Sequence, residues 1–71
     1  MAKVNRVIKE VQRLLKKDAR GLTIEEISKR TKVSRITAAM ALMKLDGMGV
    51  LYVRPIGNCK LHYLREMIEN G

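Results

Sequence analysis

The chain contains no Trp and no Phe, a single Cys, a single Pro and a single His among its 71 residues. One cysteine excludes an intramolecular disulfide. Cys59 and His62 are the only typical soft metal ligands, too few for a zinc cage. Aromatic residues are limited to Tyr52 and Tyr63, so Val, Ile, Leu and Met must fill the interior. No apolar run approaches the roughly 18 residues of a membrane span. Residues 1–10 carry basic side chains but no continuous apolar segment, which argues against a signal peptide. These features together suggest a cytoplasmic protein with a reduced thiol and no cofactor. Catalytic sets are missing as well. Acidic residues number only seven and are scattered, so no Ser-His-acid arrangement, paired-carboxylate cluster or phosphate-binding glycine loop can be assembled. An enzyme is not expected.

What the chain has in excess is positive charge. Fifteen Lys and Arg against seven Asp and Glu give a net charge of +8. On so small a surface this favours a polyanionic partner, most simply nucleic acid. A membrane surface fits less well, because the basic residues are spread along the chain rather than gathered beside an apolar face. Seventy-one residues make one domain, 1–71. A chain of this length buries only about 60% of its unfolded surface, so packing must be efficient or a partner chain must help.

The periodicity predicts the elements. Val4, Val7, Ile8, Val11, Leu14 and Leu15 recur at helical spacing, giving a first helix over about 3–17. Gly21 punctuates a turn. Thr23 and Glu26 have capping-box spacing and open a second helix over about 24–31. Ser34 is the N-cap of a third, over about 34–47, with Ala38, Leu42 and Leu45 as its buried stripe and Gly47 and Gly49 at its end. The period then changes to two. Strands within 50–64 flank a tip of Ile56, Gly57 and Asn58, and 65–71 forms a short tail. Pairing Val53 with Leu61 and Leu51 with Tyr63 sorts apolar residues onto one face, leaving Arg54 beside Lys60 and Tyr52 beside His62 on the other. In that register Cys59 is half-buried and His62 lies at the surface. They are three residues apart on a strand, point to opposite faces and form no thiolate–imidazole pair. The fold class is mainly α with a small β-hairpin, an α+β domain of three helices and two strands.

Two stretches carry a family resemblance. Residues 22–39, LTIEEISKRTKVSRITAA, resemble the helix-turn-helix of small bacterial and archaeal transcription regulators. Residues 42–54, LMKLDGMGVLYVR, resemble the end of their recognition helix running into the wing, with Leu-x-x-Leu, a Gly before the strand, alternating apolar residues and an Arg. The resemblance implies a winged helix-turn-helix whose third helix enters the major groove of double-stranded DNA while the wing touches flanking backbone or minor groove. Carried onto this chain, Ser34, Arg35 and Thr37 fall at base-reading or adjacent phosphate-contacting positions. Lys29, Lys32 and Lys44 flank the helix as phosphate contacts, and Arg54, Asn58 and Lys60 lie in the wing. Lys32 stands where the family's turn usually has Gly, so it is expected in the left-handed conformation with its amine near the DNA backbone.

Ile36, Met40 and Met43 depart from a purely polar reading face. They suit thymine methyls, additional core packing or an adaptable protein contact. The last possibility defines an alternative function, a winged-helix protein-interaction module in a larger assembly. RNA binding is disfavoured by the shortage of aromatic stacking platforms. The apolar stripe of the first helix, with Val4, Val7 and Val11, is expected to pair two copies into a homodimer matching two half-sites about 34 Å apart.

Overall fold

A computed structural model describes residues 2–69. Residue 1 and residues 70 and 71 of the expected tail lie outside the described residues. The element order is α1 (Ala2–Lys17), α2 (Ile24–Thr31), α3 (Arg35–Gly47), β1 (Leu51–Ile56), β2 (Cys59–Leu64) and a short α4 (Arg65–Glu69). Three helices followed by an antiparallel hairpin make a mixed α+β domain; α1, α2 and α3 lie within one residue of the expected ranges, and α4 occupies the start of the expected tail.

Local chemistry explains where the helices start and stop. Thr23 caps α2: its hydroxyl accepts from the Glu26 amide, and the Glu26 carboxylate accepts from the Thr23 amide at 2.9 Å. The reciprocal pair satisfies two amides that have no partner inside the helix. At the other end Lys32 takes φ 57°, ψ 40°, and its amide reaches back to the Lys29 carbonyl. Ser28 then donates to the Val33 carbonyl at 2.6 Å, fixing the turn that swings the chain into α3. Gly49, at φ +78°, lets the chain leave α3 and enter the hairpin.

The core lies between the helices and one face of the hairpin. From α1 it takes Val4, Val7, Val11 and Leu15; from α3, Ala38, Ala41, Leu42 and Leu45. The two fully buried alanines let α1 and α3 approach closely. Ile27, Val33, Leu22, Leu51 and Leu64 complete the cluster. Burying each larger aliphatic side chain is worth about 1.5–3 kcal/mol, so these residues carry the fold. Val4, Val7 and Val11 are only 3%, 0% and 0% exposed. The α1 stripe expected to pair two copies is therefore consumed by the chain's own core and offers a partner no surface.

The hairpin register differs from expectation. Leu51 pairs with Leu64, Tyr52 with Tyr63, Val53 with His62 and Arg54 with Leu61. The tip is the two-residue Gly57-Asn58 rather than a three-residue loop. Positive φ at Gly57 alone follows the type II′ pattern, whose twist matches the flanking strands. Changing the loop by one residue moves every pair by one place. His62 is buried as a result, and its polarity is met by a partner far away in sequence. Leu22, between α1 and α2, exchanges two main-chain hydrogen bonds with His62, at 2.8 and 3.2 Å. The His62 Nδ1 lies 2.9 Å from the same Leu22 carbonyl; since a carbonyl only accepts, Nδ1 carries the proton. Paired in this way, an imidazole can be buried without an orphaned polar atom. The opposite face of the hairpin carries Tyr52 and Tyr63, ring centroids 6.1 Å apart, together with Cys59, which is exposed rather than half-buried.

Candidate functional site

The α2–α3 pair and the turn between them carry the candidate cations. Lys29, Lys32, Arg35 and Lys44 are all exposed, from the end of α2, the connecting turn and the two ends of α3. Lys32 adopts the left-handed conformation expected of it, so its position is fixed by the tightness of the turn. Ser34 is the N-cap of α3. Its hydroxyl accepts from the Thr37 amide at 3.2 Å and lies 3.1 Å from the Thr37 hydroxyl. Both hydroxyls expected to face a ligand are thus engaged with each other at the helix start.

The Arg35 guanidinium lies 3.9 Å from the Glu25 carboxylate, with both side chains well exposed. An exposed pair of this length contributes about 0–1 kcal/mol and leaves Arg35 free to exchange partners. By its place in the sequence Glu25 is a favourable charge in the first turn of α2. Its tie to Arg35 depends on how α2 and α3 cross.

Two clefts separate α3 from the hairpin. One, of about 260 Å³, is bordered by Glu25, Arg35, Asn58, Lys60 and His62. The other, of about 160 Å³, lies between Met43 and Asp46 of α3 and Val53, Lys60 and His62 of the hairpin. The first of these brings Arg35, Asn58 and Lys60 to one cleft, a grouping the sequence alone does not show. Arg54 is not among them. The one-residue difference in register puts it on the opposite face from Lys60, beside Tyr52 and Leu61, so the expected Arg54–Lys60 neighbour pair does not form. A further cleft, of about 600 Å³, lies between α1 and the base of the hairpin near Gln12, Lys16, Val50 and Arg65, and includes none of the candidate residues.

The outward face of α3 is apolar. Ile36 is 74% exposed and Met43 72%. Met40, between them on the same face, is half-buried and packs against the core. Of the three readings open for these residues, core packing therefore applies to Met40 and not to Ile36 or Met43. His62, expected at the surface, instead forms the floor between the clefts; the signal that could have located it is the Leu22 bridge, which local sequence does not reveal.

Among the described residues no group of three or more His, Cys, Asp or Glu side chains comes together to hold a metal ion. No helix among them is long and apolar enough to cross a membrane. Comparison with protein-family models, with curated proteins and with solved structures finds no match to this chain.

Proposed function

We propose that this chain is a double-stranded DNA-binding protein of the winged helix-turn-helix kind, acting as a transcriptional regulator, with α3 in the major groove and the hairpin as the wing. The observation that carries the reading is the arrangement of exposed cations around α3. Lys29 and Lys32 precede it, Arg35 and Lys44 stand at its two ends, and Lys60 faces it across a cleft, in a chain of net charge +8. An α-helix about 10–12 Å across fits a major groove about 12 Å wide, and lysines on either side then meet phosphates. The left-handed turn at Lys32 and the Leu22 bridge to the hairpin support the same assignment, since together they fix the wing against the helix pair.

Roles divide by chemistry. Arg35 offers a bidentate donor to the guanine O6 and N7 edge, and Lys60 a point charge to phosphate. Selection of bound sequences from random duplexes, followed by affinity measurements on the winner and on a scrambled duplex, tests this division. Arg35→Ala should lower affinity for the selected duplex more than for the scrambled one, and Lys60→Ala should lower both alike. Equal losses in all four combinations would sink the division of roles, and failure of the wild-type chain to bind any duplex would sink the function. Pairing of two copies on a palindromic site belongs to the proposal, through a surface other than Val4, Val7 and Val11. Sedimentation with a palindromic duplex reads it, two chains per duplex in support and one against.

The exposure of Ile36 and Met43 favours a second reading, a protein-interaction module that uses the same α3 face. The two readings make opposite demands on what that apolar face touches.

A further inference from the structure

Resting on the DNA-binding reading, we infer that α3 reads the C5-methyl groups of thymine through Ile36 and Met43. The face of a groove-entering helix that points away from the core is the face that meets base edges. Here that face carries Ile36, Met40 and Met43, at i, i+4 and i+7. Its two ends are the most exposed large apolar side chains among the described residues, at 74% and 72%. Beside it the Ser34 and Thr37 hydroxyls hold each other at the helix start, while Arg35, only loosely paired with Glu25, remains available to a base edge.

The major groove displays hydrogen-bonding groups at every base pair but only one apolar group, the thymine methyl. An apolar stripe bordered by cations therefore matches a polyanion with exposed methyls better than it matches a neutral apolar partner. Ile36 and Met43 are seven residues apart, about 10 Å along the helix axis and so about three base steps. The unbranched thioether of Met43 can adjust to a methyl, and Ile36 offers a stiffer contact nearer the N-terminus.

Because 5-methylcytosine places its methyl at the same groove position, the inference extends to it. It is not a claim about A·T pairing as such. The test therefore varies the methyl and leaves base pairing unchanged. Four duplexes of about two helical turns serve as probes: alternating A·T, alternating A·U, alternating G·C, and the last with every cytosine 5-methylated. Affinities are read by fluorescence anisotropy in one buffer. A buried methyl contributes about 0.8 kcal/mol, which is about fourfold in affinity for one contact and about fifteenfold for two. A·T should exceed A·U by that factor, and the methylated G·C duplex should exceed the unmethylated one. In the variant Ile36→Ala with Met43→Ala both ratios should fall to near one. These side chains are exposed, so the variant should keep its fold, which circular dichroism checks.

Equal affinity for methylated and unmethylated duplexes would overturn the inference while leaving DNA binding standing, and would return the stripe to the protein-contact reading. Ratios that persist in the double variant would overturn the assignment to Ile36 and Met43. No binding to any of the four would overturn the DNA-binding reading itself.

Discussion

Replacing Gly21 by alanine tests the joint that ties the hairpin to the helices. Gly21 has φ +86° and immediately precedes Leu22, which bridges to His62. A Cβ at this position would stand 2.6 Å from both Cε2 and Cζ of Tyr63 and 3.1 Å from its Cδ2. Two penalties follow. A non-glycine residue in the left-handed region costs about 1–2 kcal/mol. Displacing a packed ring to relieve the overlap costs about 1–3 kcal/mol more. Their sum, about 2–5 kcal/mol, is a large part of the roughly 4–11 kcal/mol expected for a domain of this size. At about 4–8 °C per kcal/mol, a loss near 3 kcal/mol lowers Tm by about 12–24 °C. Urea unfolding followed by circular dichroism measures the change directly. The variant Tyr63→Ala supplies the control: in its background Gly21→Ala should cost only the backbone share, about 1–2 kcal/mol, because the ring is gone. A loss under about 0.5 kcal/mol in the wild-type background, or the same loss in both backgrounds, would refute the close approach of Gly21 to Tyr63.

Other substitutions probe other joints. Lys32→Gly relieves the left-handed turn and should stabilise the fold by about 0.5–1 kcal/mol while weakening duplex binding; a variant that loses stability, or binds DNA as well as wild type, contradicts the double role given to Lys32. Thr23→Ala breaks the capping box and should cost about 1 kcal/mol in urea unfolding, whereas no change would mean that the cap contributes nothing. His62→Asp should cost several kcal/mol or prevent folding, because a carboxylate would be buried against the Leu22 carbonyl. A surface histidine would tolerate that change within about 0.5 kcal/mol, so a near-neutral result would support the register with His62 outside.

The helices were legible because their signals are local. Thr23 with Glu26, Ser34, and the spacing of Val4, Val7, Val11 and Leu15 each lie within one or a few turns of chain, and the elements follow them closely. The hairpin register was not, because it turns on whether the tip holds two residues or three. Sorting apolar residues onto one face favoured the wrong answer. It treated His62 as polar and therefore outward, whereas the imidazole is buried by a carbonyl 40 residues away in the chain. The same error placed Arg54 beside Lys60. Val4, Val7 and Val11 look like surplus apolar area when α1 is viewed alone. Ala38 and Ala41 absorb that surplus, since such small residues bring α3 close enough to cover it. Of the candidate site, the cations and the left-handed Lys32 could be placed from sequence; the Glu25–Arg35 contact and the clefts beneath Lys60 depend on how α2, α3 and the hairpin meet.

The salt dependence of duplex binding tests the central claim most directly. With Lys29, Lys32, Lys44 and Lys60 each neutralising a phosphate, log K should fall against log salt with a slope of about −3.6. Affinity should then drop about a hundredfold between about 50 and 200 mM salt. The quadruple change of these lysines to glutamine should flatten the slope toward zero. A flat slope in the wild-type chain, or no binding at the lowest salt, would contradict the account.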